Sequence, residues 1–94
     1  MHWNSIQLPN LLVAMNACDA LGLARFRTLH GTFQPAKDRH MYYADRGPYE
    51  VRPLVAAAYA NLFPHAPHLN PSSFTTSDAH DLLVQRFGFQ SRQI

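Results

Sequence analysis

Arg39-His40-Met41-Tyr42-Tyr43-Ala44 is followed by Asp45-Arg46-Gly47-Pro48 and then by Tyr49-Glu50-Val51. Methionine and two tyrosines in succession favour extended backbone, so residues 39–44 are predicted to form a strand. Asp, Gly and Pro each carry a turn-specific backbone preference, which places a turn at residues 45–48. The return strand can only be short, about 49–51, because Pro53 has no N–H to donate to a ladder. Pro53 suits the first turn of a helix, where the missing N–H would be unpaired anyway. A hairpin set between helical segments makes the fold class α+β.

Working outward towards the N-terminus, residues 9–20 carry Leu11, Leu12, Met15 and Cys18 at helical spacing, giving one apolar face. Pro9 is acceptable in the first turn, and Gly22 is a C-terminal stop. A second short helix, 23–29, would turn Phe26 and Leu29 inward and end at Gly31. Residues 32–37 then form a loop fixed by Pro35. Towards the C-terminus, residues 53–62 place Leu54, Val55, Ala58, Tyr59 and Leu62 at helical spacing, and Ala56-Ala57-Ala58 allows close packing. Residues 63–73 are a loop with Pro64, Pro67 and Pro71. A last helix has Ser77 as N-cap and Asp78 and Asp81 in its first turn, where the helix dipole favours negative charge. Its inner face is Leu82, Leu83 and Phe87, Gly88 ends it, and residues 89–92 add a last short strand. The expected architecture is four helical segments packed on a small antiparallel hairpin or three-stranded sheet, in one domain over residues 1–94.

The chain has 94 residues, 47% apolar and 15% charged, with a net charge of +2. That length allows one small domain and excludes a two-domain enzyme with a deep cleft. The apolar fraction argues against disorder, and no apolar run approaches the roughly 18 residues of a membrane span. Cys18 is the single cysteine, so no internal disulfide can form. The first residues do not read as a signal peptide, and the expected location is a reducing cytoplasm. Seven of the eight basic residues are arginine, whose planar guanidinium suits phosphate and carboxylate.

The most informative patch runs from Arg25 to Arg52, with six basic residues against three acidic ones and Tyr42, Tyr43 and Tyr49 interleaved. Cations meet phosphates and exposed aromatic faces stack on bases, so the mixture suits nucleic acid. In a strand Tyr42 and Tyr43 point to opposite faces. The candidate contacts are Lys37, Arg39, Tyr43, Arg46, Tyr49 and Arg52. Arg52 stands out because it precedes a proline-started helix and could reach an anion at the helix N-terminus. The plainer readings are a solvated hairpin with ordinary rim tyrosines and an Arg52 paired with Glu50 or Asp45.

Other chemistry is thinly supported. His65 and His68 are close enough to share an ion, but zinc needs three or four ligands and no nearby Cys or carboxylate completes the set. His80 and Asp81 fall on the outer side of the last helix. No metal and no cofactor are expected. Cys18 lies on the apolar stripe of the first helix and reads as packing. No nucleophile elbow or phosphate-cradling glycine loop is present, so a catalytic role is not expected.

Asp19-Ala20-Leu21-Gly22, then Phe26, Gly31 and Phe33, resembles the opening of the N-terminal head domain of ScoMcrA-type, modification-dependent HNH restriction endonucleases. Tyr49-Glu50-Val51-Arg52-Pro53, Ala56-Ala57-Ala58-Tyr59, Phe74 and Phe87-Gly88-Phe89 extend the resemblance over nearly the whole chain. The family's Asp-Ser-Lys segment is Glu50-Val51-Arg52 here, and its glycine pair is Thr76-Ser77. In the family this module accompanies separate modification-reading and nuclease domains, and no His-Asn-His pattern is visible in this chain. The resemblance implies the fold and a restriction or defence setting with modified DNA. The expected function is a non-enzymatic module that binds DNA, modified or not, or assists its recognition through arginines of the hairpin and the following helix start. The alternative is a small protein-interaction domain that docks a larger effector, or a second copy, through apolar surface near Trp3.

Overall fold

The computed structural model describes residues 5–29, 33–66 and 74–94. Among them are helices α1 (Leu8–Leu21), α2 (Leu23–Leu29), α3 (Val51–Leu62) and α4 (Thr76–Asp81), and strands β1 (Arg39–Tyr43), β2 (Arg46–Tyr49) and β3 (Gln90–Gln93). The strands form one antiparallel sheet in the order β2-β1-β3. The α+β reading therefore holds, with the larger of the two sheets expected. Trp3, Gly31, Thr32, Pro67, His68 and Pro71 lie outside the described residues.

α1 starts one residue earlier than Pro9, because Gln7 and Asn10 form a reciprocal capping pair in which the Gln7 N–H donates to Asn10 Oδ1 at 2.9 Å. It buries Leu11, Ala14, Met15 and Cys18 and ends at Gly22. In α2, Phe26 is buried but Leu29 is 60% exposed, contrary to expectation. Three residues of helix fall about 60° short of a full turn, enough to carry Leu29 off the narrow contact that Phe26 makes.

The hairpin differs from its predicted form in one instructive way. Its turn is Ala44-Asp45, both with positive φ, and β2 begins at Arg46, so Gly47 and Pro48 lie inside the strand. Positive φ at both turn residues matches the twist of the flanking strands. Pro48 is tolerated because β2 is an edge strand. Tyr43 pairs with Arg46 and Met41 with Tyr49, so β2 carries one residue more than β1 between those pairs. This bulge re-aims Tyr49 into the core beside Met41. Gly47 is required there: a Cβ would lie 2.7 Å from the Tyr42 ring and 2.8 Å from the Met41 carbonyl oxygen.

α3 is the central helix. Val51, Pro53, Leu54, Val55, Ala56, Ala57 and Ala58 are all buried, and the small alanines admit α1 at close range. It starts two residues before Pro53, which falls in the first turn, where no N–H bond is lost. α4 is capped by Thr75 rather than Ser77. Thr75 Oγ1 accepts from the Asp78 N–H at 3.0 Å, and Asp78 faces back to the Thr75 N–H. Thr75 wins because an acidic residue stands three positions on, which completes a capping box. Residues Leu82–Arg86 continue as a wider π-helical turn that buries Leu82 and Leu83. The chain then reverses through Gly88 (φ +76°) into β3, which pairs with β1.

Glu50, the N-cap residue of α3, is the buried charged residue of this core. Its carboxylate accepts from Arg27 Nε at 2.9 Å and from the Ala36 N–H at 2.6 Å. Removing it strands a part-buried guanidinium and a backbone donor. Glu50→Ala is therefore expected to lower stability by about 3–5 kcal/mol, read by urea unfolding. Glu50→Gln, which keeps an acceptor in place, should lose less.

Candidate nucleic-acid interface

An open groove of 670 Å³ runs between three pieces of chain, residues 34–39, residues 51–53, and the start of α4 with Thr76, Ser77 and His80. Each wall has a local cause. Pro35 stiffens the first segment, and the Ala36 bond to Glu50 holds it against the start of α3. The Thr75 capping box fixes the direction in which α4 leaves. Three of the six residues predicted from sequence meet here: Lys37, Arg39 and Arg52. Asp38 is the one carboxylate in the lining.

Arg52 does not form the ion pair with Glu50 or Asp45 that is the plainer alternative for it. Glu50 is engaged by Arg27, and Asp45 sits in the hairpin turn at the far end of β1. The Arg52 guanidinium instead lies over the Phe33 ring, 5.5 Å from its centroid. That contact orients the cation without neutralising it. His80, expected on the outer side of its helix, is half-buried and lines the groove. The turn to π-helical geometry just after it, and the packing of Ala79 into the core, rotate this face inward.

The other three predicted residues lie away from the groove lining. Arg46 Nη2 donates to Asp19 Oδ2 at 2.7 Å and to Asn16 Oδ1 at 2.9 Å. The Tyr49 hydroxyl donates to Asp19 Oδ1 at 2.9 Å, and its ring is 1% exposed. Tyr49 therefore has no face on which a base could stack, which corrects the sequence reading. Tyr43 is half-buried, with its ring 4.9 Å from that of Phe89 on the core side of the sheet. Asp19 thus fastens β2 to α1. Neither its partners nor the Phe33 platform could be assigned from spacing, although both residues belong to the motif Asp19-Ala20-Leu21-Gly22…Phe26…Phe33.

Burial first, then the hydrogen bond to Asp19 and its negative charge, push the Tyr49 phenol up from 10.0 to about 12. The folded state holds this proton more tightly than the unfolded chain. Its contribution is complete below pH 10 and drains away as pH rises through 10 towards 12. Unfolding followed at about pH 8 and about pH 11 should show a smaller alkaline loss in Tyr49→Phe than in the parent. Burial, with the charges of Asp19 and Glu50, raises the Cys18 thiol to about 11. Iodoacetamide should accordingly label Cys18 slowly in native protein at mildly alkaline pH and quickly once denaturant is added.

Among the described residues, no group of three His, Cys, Asp or Glu side chains is placed to hold a metal ion, and no helix is long and apolar enough to cross a membrane. His65 is exposed. Comparison with curated proteins and with solved structures gives no match. The family described as "ScoMcrA-like, N-terminal head domain" matches residues 4–93, nearly the full length. On that match the chain belongs to the ScoMcrA-like N-terminal head domains, the head modules of ScoMcrA-like restriction proteins.

Proposed function

We propose that this head domain is a non-catalytic DNA-binding module of a restriction system, and that its groove seats the phosphate backbone. One observation carries the reading: Lys37, Arg39 and Arg52 converge on the groove while Glu50, the carboxylate nearest in sequence to Arg52, is turned away and held by Arg27. Three cations therefore face solvent against the single carboxylate of Asp38. The first turn of α3 adds backbone N–H groups at the same wall, where negative charge is favoured. Flexible cations and backbone suit a sequence-independent phosphate contact, which positions the protein without reading bases. Preference for a modified base would then come from a partner domain or a shallow aromatic contact.

Binding through three phosphates makes affinity fall by roughly 40-fold for a fourfold rise in salt. Fluorescence anisotropy of a labelled duplex titrated with the protein measures this directly. Arg52→Ala should weaken binding to all sequences alike and reduce the salt slope by about one contact. Arg46→Ala, outside the groove, should leave the slope unchanged. Absence of binding at low salt by folded protein would overturn the reading. Salt-independent capture of an effector protein would instead favour an interaction domain, with Trp3 the first residue to test.

A further inference from the structure

The face of the sheet turned away from the core is chemically unlike the groove. In the β1–β3 register His40 pairs with Arg92 and Tyr42 with Gln90, so these four side chains share one face, opposite to buried Met41 and Phe89. None of the four is acidic. The Tyr42 ring is seated against Gly47, where a Cβ would come within 2.7 Å of its edge. The Arg92 guanidinium lies over that ring, 4.6 Å from the centroid, and Nη2 donates to Gln90 Oε1 at 2.9 Å. Arg92 is nevertheless exposed. The contact with Tyr42 and the bond to Gln90 hold the planar cation over the ring while it stays exposed to solvent.

We propose that this face is a second contact for the same ligand, and that the ligand is a single-stranded DNA segment whose unpaired base stacks on Arg92. The proposal rests on the groove being a DNA site. Arg39 lines the groove from the Met41 face of β1, and His40 beside it is two strand residues, about 7 Å, from Tyr42 on the outer face, so a backbone leaving the groove reaches that face around the end of β1. Charge complementarity favours this occupant, since His40 and Arg92 stand side by side on the outer face and none of the four paired residues there is acidic. Stacking selects the single strand. Bases in a duplex cover one another, whereas a splayed base offers its face to an aromatic ring or a guanidinium plane.

The test uses three fluorescein-labelled probes at low salt: a twelve-nucleotide thymidine strand, an abasic strand of the same length, and a duplex. The thymidine strand should bind at least about fivefold more tightly than the abasic one, the low end of base stacking. Arg92→Lys, which keeps the charge but loses the plane, should bring that ratio close to one without changing the salt slope. Arg52→Ala should weaken the thymidine and abasic strands by the same factor. Arg92 is exposed, so Arg92→Lys keeps the fold, and the fold of Arg52→Ala is checked by circular dichroism; Tyr42→Ala, which removes the packing on Gly47, is the less safe choice. Equal affinity for thymidine and abasic strands, or an unchanged ratio in Arg92→Lys, overturns the stacking contact while leaving the groove intact. Failure of all three probes to bind overturns the groove and the stacking contact together.

Discussion

The carboxylate of Glu50 joins parts of the chain that are remote in sequence. One oxygen takes the Arg27 side chain from α2, the other takes the Ala36 N–H, and the residue itself begins α3. A buried charge is tolerable only when its lone pairs are met, and here both oxygens have donors. The geometry is self-consistent: α2 and the segment before β1 are held where they are by the acid that needs them. With that acid satisfied, Arg52 two residues later is left to lie on Phe33. The cationic groove is thus a consequence of how the core handles its own charge.

A second tie holds the other end of the hairpin. Asp19 on α1 receives Arg46 and Tyr49 from β2, and the one-residue bulge is what lets Tyr49 reach inward while Arg46 stays at the rim. The two ties divide the basic residues between two duties. Arg27 and Arg46 are paired with Glu50 and Asp19, and Lys37, Arg39 and Arg52 remain around the groove. Their density in the sequence between Arg25 and Arg52 gave no hint of this division, because an arginine in an ion pair and an arginine facing solvent look identical in a list of residues.

Much of the fold was legible because it depends on local chemistry. Residues 23–29 form the helix expected of them, and the strand from Arg39, the stop at Gly22 and the reversal at Gly88 follow from backbone preference and periodicity. The errors fell where two local rules competed. Gly47-Pro48 has strong turn chemistry, yet the twist of the hairpin preferred the left-handed pair Ala44-Asp45 and moved the proline to an unpaired edge. Ser77 is a good cap, but Thr75 with Asp78 three residues on is a better one.

Sequence by itself determined the α+β class, the order of elements and the clustering of basic and aromatic residues around one hairpin, since each rests on composition and spacing along the chain, and the resemblance of its motifs pointed to the family. Only the tertiary structure decided which members of that cluster face a common groove. That choice depends on contacts across 14 to 30 residues, Ala36 and Arg27 with Glu50 and Asp19 with Tyr49. It depends also on a bulge whose single extra residue turns Tyr49 inward. Side-chain period along a strand is two, so one inserted residue reverses every face beyond it, and no reading of neighbours in sequence can supply that register.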